Sequence, residues 1–119
     1  MLKLLVVDDE IDILEVTKKF FKKRGIDVFT ASDGNEAFRL IKAENPDLVL
    51  LDFSLPGMSG VEVLKKTRES KLDTKVIMVT GFETERVISE IKGLGIQGCV
   101  HKPLDLDELE KIVFAALNS

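Results

Sequence analysis

The sequence contains no tryptophan, no tyrosine and a single cysteine, Cys99, among its 119 residues. One thiol excludes an internal disulfide, and it is compatible with a reducing compartment. Without tryptophan or tyrosine, the chain also has few platforms on which nucleic-acid bases or a flavin could stack. These absences exclude a disulfide framework and argue against ligand binding by aromatic stacking.

A long apolar run and a basic stripe are also missing. No stretch reaches the roughly 18 consecutive apolar residues of a membrane span, and the amino terminus has no signal pattern. Seventeen Lys and Arg residues against 21 Asp and Glu residues give a net charge of −4, and no basic stripe alternates with aromatics. We therefore expect a cytoplasmic protein that binds neither membranes nor nucleic acid directly.

What the sequence does contain is enough apolar material for one core. At 119 residues and 45% hydrophobic composition, the chain has the size and content of one ordinary domain. It has no linker, low-complexity stretch or short repeat. We therefore predict a single domain over residues 1–119.

Short apolar runs alternate with segments of helical period. Strands are predicted at residues 2–7, 27–31, 47–51, 75–79 and 97–101. Helices are predicted at residues 11–24, from 32 or 33 to 44, from just after 60 to about 70, at 83–92, and from 105 onward. The first, third and fourth strands are apolar almost throughout, which is typical of strands covered on both faces. The alternation predicts an α/β fold with parallel strands and helices on both sides of the sheet.

Two of the helices have informative details. In the first, four apolar residues are expected to face the core: Ile11, Leu14, Phe20 and Phe21. The fifth begins with Asp105 followed three residues later by Glu108, which resembles a capping box.

Polar residues stand where the predicted strands end. Asp8 and Asp9 end the first strand, Asp52 the third, Thr80 the fourth and Lys102 the fifth. In an open parallel sheet, ligands bind in the crevice at the carboxyl ends of the strands. Three carboxylates together repel one another unless a cation lies between them, and Mg²⁺ is the natural candidate because it leaves positions open for phosphate oxygens. We therefore predict a magnesium site at this edge, with the hydroxyl and the ammonium facing an anion.

Each of these residues also has a simpler explanation. Asp8 or Asp9 could cap the first helix, and Asp52 could begin a turn. Thr80 fits a strand end, and Lys102 could be a solvated charge. Together, however, the simpler explanations require several unrelated coincidences at one edge of the sheet, which favours the functional interpretation.

Four segments in order carry a family resemblance: "VVDDE" after the first strand, "LLDFSLPGMSGVEVL" around Asp52, "VIMVTG" through Thr80, and "VHKP" around Lys102. The chain resembles the receiver domains of two-component response regulators, and the resemblance covers residues 1–119. It implies a flavodoxin-like fold, with a five-stranded parallel sheet in the order 2-1-3-4-5 flanked by five helices.

The resemblance also implies roles at the site. Asp52 would accept a phosphoryl group from a sensor histidine kinase or a histidine phosphotransfer protein. Asp9 would bind Mg²⁺ directly and Asp8 mainly through water, while Asp52 and the backbone carbonyl of Ser54 would complete the protein ligands. The domain would catalyse only its own phosphorylation and dephosphorylation, and Ser54 and Phe82 occupy the positions that tune the decay.

Signal output is implied as well. Lys102 would neutralise the phosphoryl oxygens, and Thr80 would turn to bond them. That movement would shift the face made by helix four, strand five and helix five, where an effector domain or protein would bind. Three residues of helix four are possible apolar contacts there: Val87, Ile88 and Ile91.

The chain departs from the family pattern three residues before Lys102, where many receivers have Tyr or Phe and this chain has Cys99. We expect Cys99 to be a small apolar residue on a mostly buried strand. His101 should lie on the same face of that strand. Output would then depend on residues 81–85 and helix four, without an aromatic switch.

Other functions fit less well. A haloacid-dehalogenase-type phosphatase requires a second acid two residues after its nucleophile, where this chain has Ser54. A flavodoxin-type electron carrier needs a hydroxyl-rich phosphate loop where this chain has "DDEID", and a P-loop nucleotide enzyme needs a glycine-rich motif that is absent. The remaining alternative is a receiver-like interaction module that works without phosphorylation.

Overall fold

A computed structural model of the chain describes residues 1–81 and 84–119 and, of Thr84, only the backbone. Strands and helices alternate along it: β1 Lys3–Val7, α1 Ile11–Lys22, β2 Asp27–Ala31, α2 Gly34–Glu44, β3 Leu48–Asp52, α3 Gly60–Glu69, β4 Lys75–Thr80, α4 Thr84–Glu90, β5 Gly98–His101 and α5 Leu106–Leu117. The strands form one parallel sheet in the order β2-β1-β3-β4-β5. The predicted fold class and strand order are confirmed.

The sheet separates two hydrophobic cores because alternate side chains of a strand point to opposite faces. Leu5 and Val7 of β1 join the core that is covered by α2, α3 and α4. Leu4 and Val6 of the same strand join the core that is covered by α1 and α5. All five residues of β3 are buried, which explains why that strand is apolar on both faces.

The helices begin at side chains that satisfy their free amide groups. Asp33 accepts a hydrogen bond from the amide of Glu36 at the start of α2, and Ser59 accepts one from Glu62 at the start of α3. At the start of α5, the carboxylate of Asp105 accepts from the amides of the residues two and three positions later. Such caps stabilise a helix by about 1 kcal/mol each, and Asp105 acts as predicted from its position.

Ile11 contradicts the prediction that it faces the core, since 57% of its surface is exposed. The buried stripe of α1 runs through Leu14, Thr17 and Phe21. Ile11 lies in the first turn, where the helix begins near the carboxyl edge of the sheet. Phe20 is half-buried and packs against the core from the side.

Two predicted helix ends also need correction. α1 ends at Lys22 and α4 ends at Glu90, each two residues earlier than predicted. The predicted start of α4, Glu83, lies outside the described residues. Among the apolar residues of this region, Val87 and Ile91 are buried in the core, whereas Ile88 is half exposed. In the described part of the chain, every helix is too short or too polar to cross a membrane.

Candidate functional site

The predicted site residues meet at the carboxyl edge of the sheet because β1, β3, β4 and β5 end there. Val7 pairs with Leu51 across neighbouring strands, so Asp8 and Asp52 continue these strands side by side. One carboxylate oxygen from each of Asp8, Asp9 and Asp52 lies within 4.8 Å of the others. The sheet therefore brings together the three acids that are spread over 45 positions of the sequence, from 8 to 52.

Asp8 is buried, with 2% of its surface exposed. Its Oδ1 accepts a hydrogen bond from the amide of Glu10 at 2.8 Å, and its own amide donates to the carbonyl of Ala31. The residue at the amino-terminal cap of α1 is Glu10, not Asp8 or Asp9. Asp8 therefore shapes the turn before the helix while its second oxygen faces the site, and Asp9 is exposed beside it.

Asp52, the last residue of β3, is 4% exposed. Its Oδ1 accepts from the amide of Ser54 at 3.1 Å, and its Oδ2 accepts from Nζ of Lys102 at 2.8 Å. Burial raises the pKa of Asp52 above its ordinary value, and the hydrogen bonds from Lys102 and Ser54 offset part of that rise. Asp52 thus does begin a turn, as its simpler explanation proposes, but its second oxygen remains directed at the cluster.

Lys102 joins β5 to the acids of β1 and β3. Its Nζ lies 3.1 Å from Oδ2 of Asp8 and 2.8 Å from Oδ2 of Asp52, and 25% of its side chain is exposed. Burial alone would lower the pKa of Lys102, but the hydrogen bonds to Asp52 and Asp8 outweigh it and raise the pKa above its ordinary value. Lys102 is therefore not a solvated surface charge, and the peptide bond that follows it, to Pro103, is cis.

Thr80, the last residue of β4, is fully buried, and its Oγ1 lies 3.9 Å from Sγ of Cys99. The amide of Lys102 donates to the carbonyl of Thr80, which ties the ends of β4 and β5 together. Cys99 is half-buried against the core, and His101 is exposed. Ser54 is exposed, and Phe82 lies outside the described residues.

Gly60 supports the site, although the sequence analysis assigned it no role. A Cβ atom at this position would overlap the backbone carbonyl of Asp52, and the amide of Gly60 donates to the carbonyl of Phe53 at 2.9 Å. Only a glycine therefore lets α3 begin so close to the end of β3. The signal in the sequence is the second glycine of "PGMSG", which stands directly after the helix-capping Ser59.

An apolar groove adjoins Lys102, and the sequence analysis missed it too. It has a volume of about 880 Å³ between α1 and the connection from β5 to α5, and Lys102 lines it. Its apolar walls are Ile13, Val16, Pro103, Leu104 and Leu106.

The donor set fits a hard divalent cation. It consists of carboxylate oxygens only, and one of the three carboxylates is exposed, so that a partly hydrated ion could reach it. An ammonium group already lies against the two buried carboxylates, so the edge holds charges of both signs within hydrogen-bonding distance. Such an arrangement suits an anion that carries several oxygens.

Comparisons with known proteins agree with this geometry. Residues 4–114 match the profile of the response regulator receiver domain. The chain is similar to sporulation initiation phosphotransferase F of Bacillus subtilis strain 168, with 38% identity over 111 residues, covering 93% of this chain and 90% of that protein.

Solved structures resemble it over almost its whole length. A CheY-like receiver domain protein from Methanospirillum hungatei JF-1 has a TM-score of 0.93 and 30% identity, covering 99% of this chain and 94% of that one. The receiver domain of a Francisella response regulator has a TM-score of 0.90 and 34% identity, covering 99% of this chain and 98% of that one.

Proposed function

The chain belongs to the family of response regulator receiver domains, and we propose that it works as a phosphorylation switch whose acceptor is Asp52. Receiver domains of two-component systems are signalling switches rather than enzymes in the ordinary sense. We further propose that residues 1–119 form one such domain, that it acts in the cytoplasm, and that its phosphodonor is a sensor histidine kinase or a histidine phosphotransfer protein. The observation that carries the proposal is the buried Asp52 carboxylate held beside Lys102, Asp8 and Asp9.

In the proposed reaction, a carboxylate oxygen of Asp52 attacks the phosphorus of a phosphohistidine. A P–O bond forms as the P–N bond breaks, and the electron pair of that bond returns to the donor's imidazole. The result is an acyl phosphate on Asp52 and a free histidine on the donor. Hydrolysis of the acyl phosphate by water restores the carboxylate, so that the signal ends by itself.

Asp52 must be ionised to attack. Burial opposes ionisation, whereas Lys102 and the amide of Ser54 favour it by donating hydrogen bonds to the charged form. Once the phosphoryl group is in place, Lys102 can move from the carboxylates to a phosphoryl oxygen, and the Thr80 hydroxyl can rotate toward another. Both groups then hold charge that develops during in-line transfer.

Mg²⁺ would be held by Asp8, Asp9, Asp52 and the carbonyl of Ser54. When bound, it supplies positive charge that offsets the phosphoryl oxygens and the clustered acids. The exposure of Asp9 and the burial of Asp8 support the division of labour that the family resemblance implies, with Asp9 as the more accessible ligand.

The groove beside Lys102 supports a docking place for the phosphodonor. A donor must bring its histidine to Asp52, and an apolar helix surface of the donor could fill the groove while doing so. The exposed side chain of Val16 would be the outermost contact. An effector would use the separate face that is made by α4, β5 and α5.

Phosphorylation by acetyl phosphate tests the proposal without a donor protein. We expect intact-mass analysis to show the gain of one phosphoryl group in Mg²⁺, no gain in excess chelator, and no gain for Asp52→Asn. Asp107→Asn, an exposed acid far from the cluster in sequence, serves as the matched control and should react like the parent. Phosphorylation that persists in chelator would contradict the metal dependence, and phosphorylation of Asp52→Asn would place the acceptor elsewhere. A parent protein that gains no mass in Mg²⁺ would favour the alternative, an interaction module that works without phosphorylation.

A further inference from the structure

Arg68 makes an unusual set of contacts at the end of α3 that is remote from Asp52. Its Nε donates to the carbonyl of Leu94 at 2.8 Å, and its Nη2 donates to the carbonyl of Gly95 at 2.9 Å. Its Nη1 donates to the carbonyl of Leu72 at 3.0 Å. One guanidinium group therefore joins the end of α3 to the segment between α4 and β5, across 26 and 27 positions of the sequence.

These hydrogen bonds are stronger than neutral ones because the donor is charged and partly buried. Burial lowers the pKa of Arg68 from its ordinary value, although Asp73 opposes the change, and an arginine remains charged at any physiological pH. The carbonyls of Leu94 and Gly95 lie in the turn that follows α4, beyond the last N–H donors of the helix. Arg68 thus satisfies backbone groups that a short helix and its following turn leave open.

The described residues near the two ends of α4 make different contacts. Beyond the carboxyl end, Ile91 is buried in the core, Leu94 packs on the core, and Arg68 holds the following backbone. Among the described residues near the amino end, Val87 is buried in the core, and Arg86 lies with its guanidinium carbon 5.7 Å from the centre of the Phe53 ring, while 64% of the Arg86 side chain is exposed. The exposed contact of Arg86 stabilises the helix less than charged hydrogen bonds in a partly buried place do.

We propose that Arg68 is the pivot of the output helix: it fixes residues 92–97, so that phosphorylation displaces the amino end of α4 and leaves the segment after it in place. The inference deepens the proposed function and rests on it, because the displacement begins at Thr80 and Asp52. A fixed far end turns a small change at Thr80 into a change in the direction of α4 rather than a loosening of the whole region.

Amide hydrogen exchange with and without beryllofluoride and Mg²⁺ tests the pivot. In the parent protein, we expect the analogue to change exchange in residues 84–88 while the amides of Leu94 and Gln97, which donate to Ile91 and Val76, keep their protection. In Arg68→Ala, these two amides should exchange at least about tenfold faster in the free protein, and the analogue should now alter them. Arg68→Lys should be intermediate, because an ammonium group cannot span the same three carbonyls.

The control is Arg39→Ala, which removes an exposed arginine from α2 and should behave like the parent. All variants should be phosphorylated by acetyl phosphate to the parent's extent, since Arg68 lies at the end of α3 remote from Asp52. Absence of phosphorylation in the parent would contradict the proposed function. If phosphorylation is normal, parent-like exchange in Arg68→Ala would contradict the pivot alone. So would a parent protein whose residues 92–97 respond to the analogue as strongly as residues 84–88. The parent measurement decides even if Arg68→Ala fails to fold.

Discussion

The central strands β1 and β3 differ from the edge strand β5 in burial and in pairing. Four of the five residues of β1 and all five of β3 are buried, whereas β5 has four residues, none of them fully buried. β3 is paired on both sides, but β5 is paired only with β4. The acids of the site continue the central strands, and the predicted output face lies on the edge.

We expect this difference to separate the proposed chemistry from the proposed signalling. Like charges can be held together only by a scaffold that does not relax, and the buried strands β1 and β3 supply it for Asp8 and Asp52. A switch needs elements whose alternative packing costs little free energy, and such elements come from the less buried parts of a fold. Lys102 connects the two regions, because it follows β5 and contacts the acids at the ends of β1 and β3.

Replacing Lys102 should have the largest effect, and we expect it on the rate of phosphorylation. Lys102→Ala deletes the ammonium group that would neutralise the phosphoryl oxygens, so we expect phosphorylation by acetyl phosphate to slow by roughly 10²-fold. The rate of mass gain in saturating Mg²⁺ measures it, with Lys111→Ala on the exposed side of α5 as control. A Lys102→Ala rate equal to that of the control would show that the edge strand contributes nothing to the chemistry.

The same substitution in the two regions should differ in its effect on stability. Val49→Ala in β3 removes two fully buried carbons, and the free energy of unfolding should fall by about 2 kcal/mol. Val100→Ala in β5 removes the same atoms from a half-buried place and should cost roughly half as much. Chemical denaturation of both variants measures these losses. Equal losses in the free energy of unfolding would contradict the comparison.

A smaller effect should follow from relieving the charge repulsion at the site. In excess chelator, Asp9→Asn should raise the thermal unfolding midpoint at neutral pH by roughly 2–4 °C, because it removes a like charge beside Asp8 and Asp52. The pKa of Asp52 is raised, so its protonation stabilises the free fold at low pH, and this contribution is lost as the pH rises through that pKa. The advantage of Asp9→Asn should therefore shrink in acid.

In Mg²⁺ the parent should instead have the higher thermal unfolding midpoint, because of the two proteins only the folded parent binds the ion tightly. Asp107→Asn serves again as the control for removing one exposed acid. An Asp9→Asn protein that melts no higher than the parent in chelator would show that Lys102 already cancels the repulsion within the cluster.

Replacing Cys99 should have the smallest effect on phosphorylation and on the switch. Its thiol touches the hydroxyl of Thr80 from a half-buried position, but it has no ring that could move into the site. Cys99→Ala should therefore be phosphorylated like the parent, and its NMR shift changes on adding beryllofluoride should still centre on residues 81–91. Changes centred on β5, in either protein, would contradict the prediction that the output depends on residues 81–85 and α4.

Much of the site was predictable because each of its residues ends an apolar run. Asp8 directly follows β1, and Asp52 and Thr80 are the last residues of β3 and β4. The side chains of these strands are buried on both faces, and that pattern places strand ends within one residue. Ile11 was misplaced because a helical period cannot tell which turn of a helix extends past the sheet. Gly60 and the groove were missed because both depend on contacts between segments that only folding brings together.

The sequence by itself determined the alternation of strands and helices, the residues at the strand ends and the family, because hydrophobic period and short motifs are local properties. The tertiary structure decided that Lys102 lies between Asp8 and Asp52, that Arg68 holds the segment after α4, and that an apolar groove adjoins Lys102. Each of these arrangements joins residues 26 or more positions apart, or walls from different elements. Their distances follow from strand order and helix packing, which no local pattern contains.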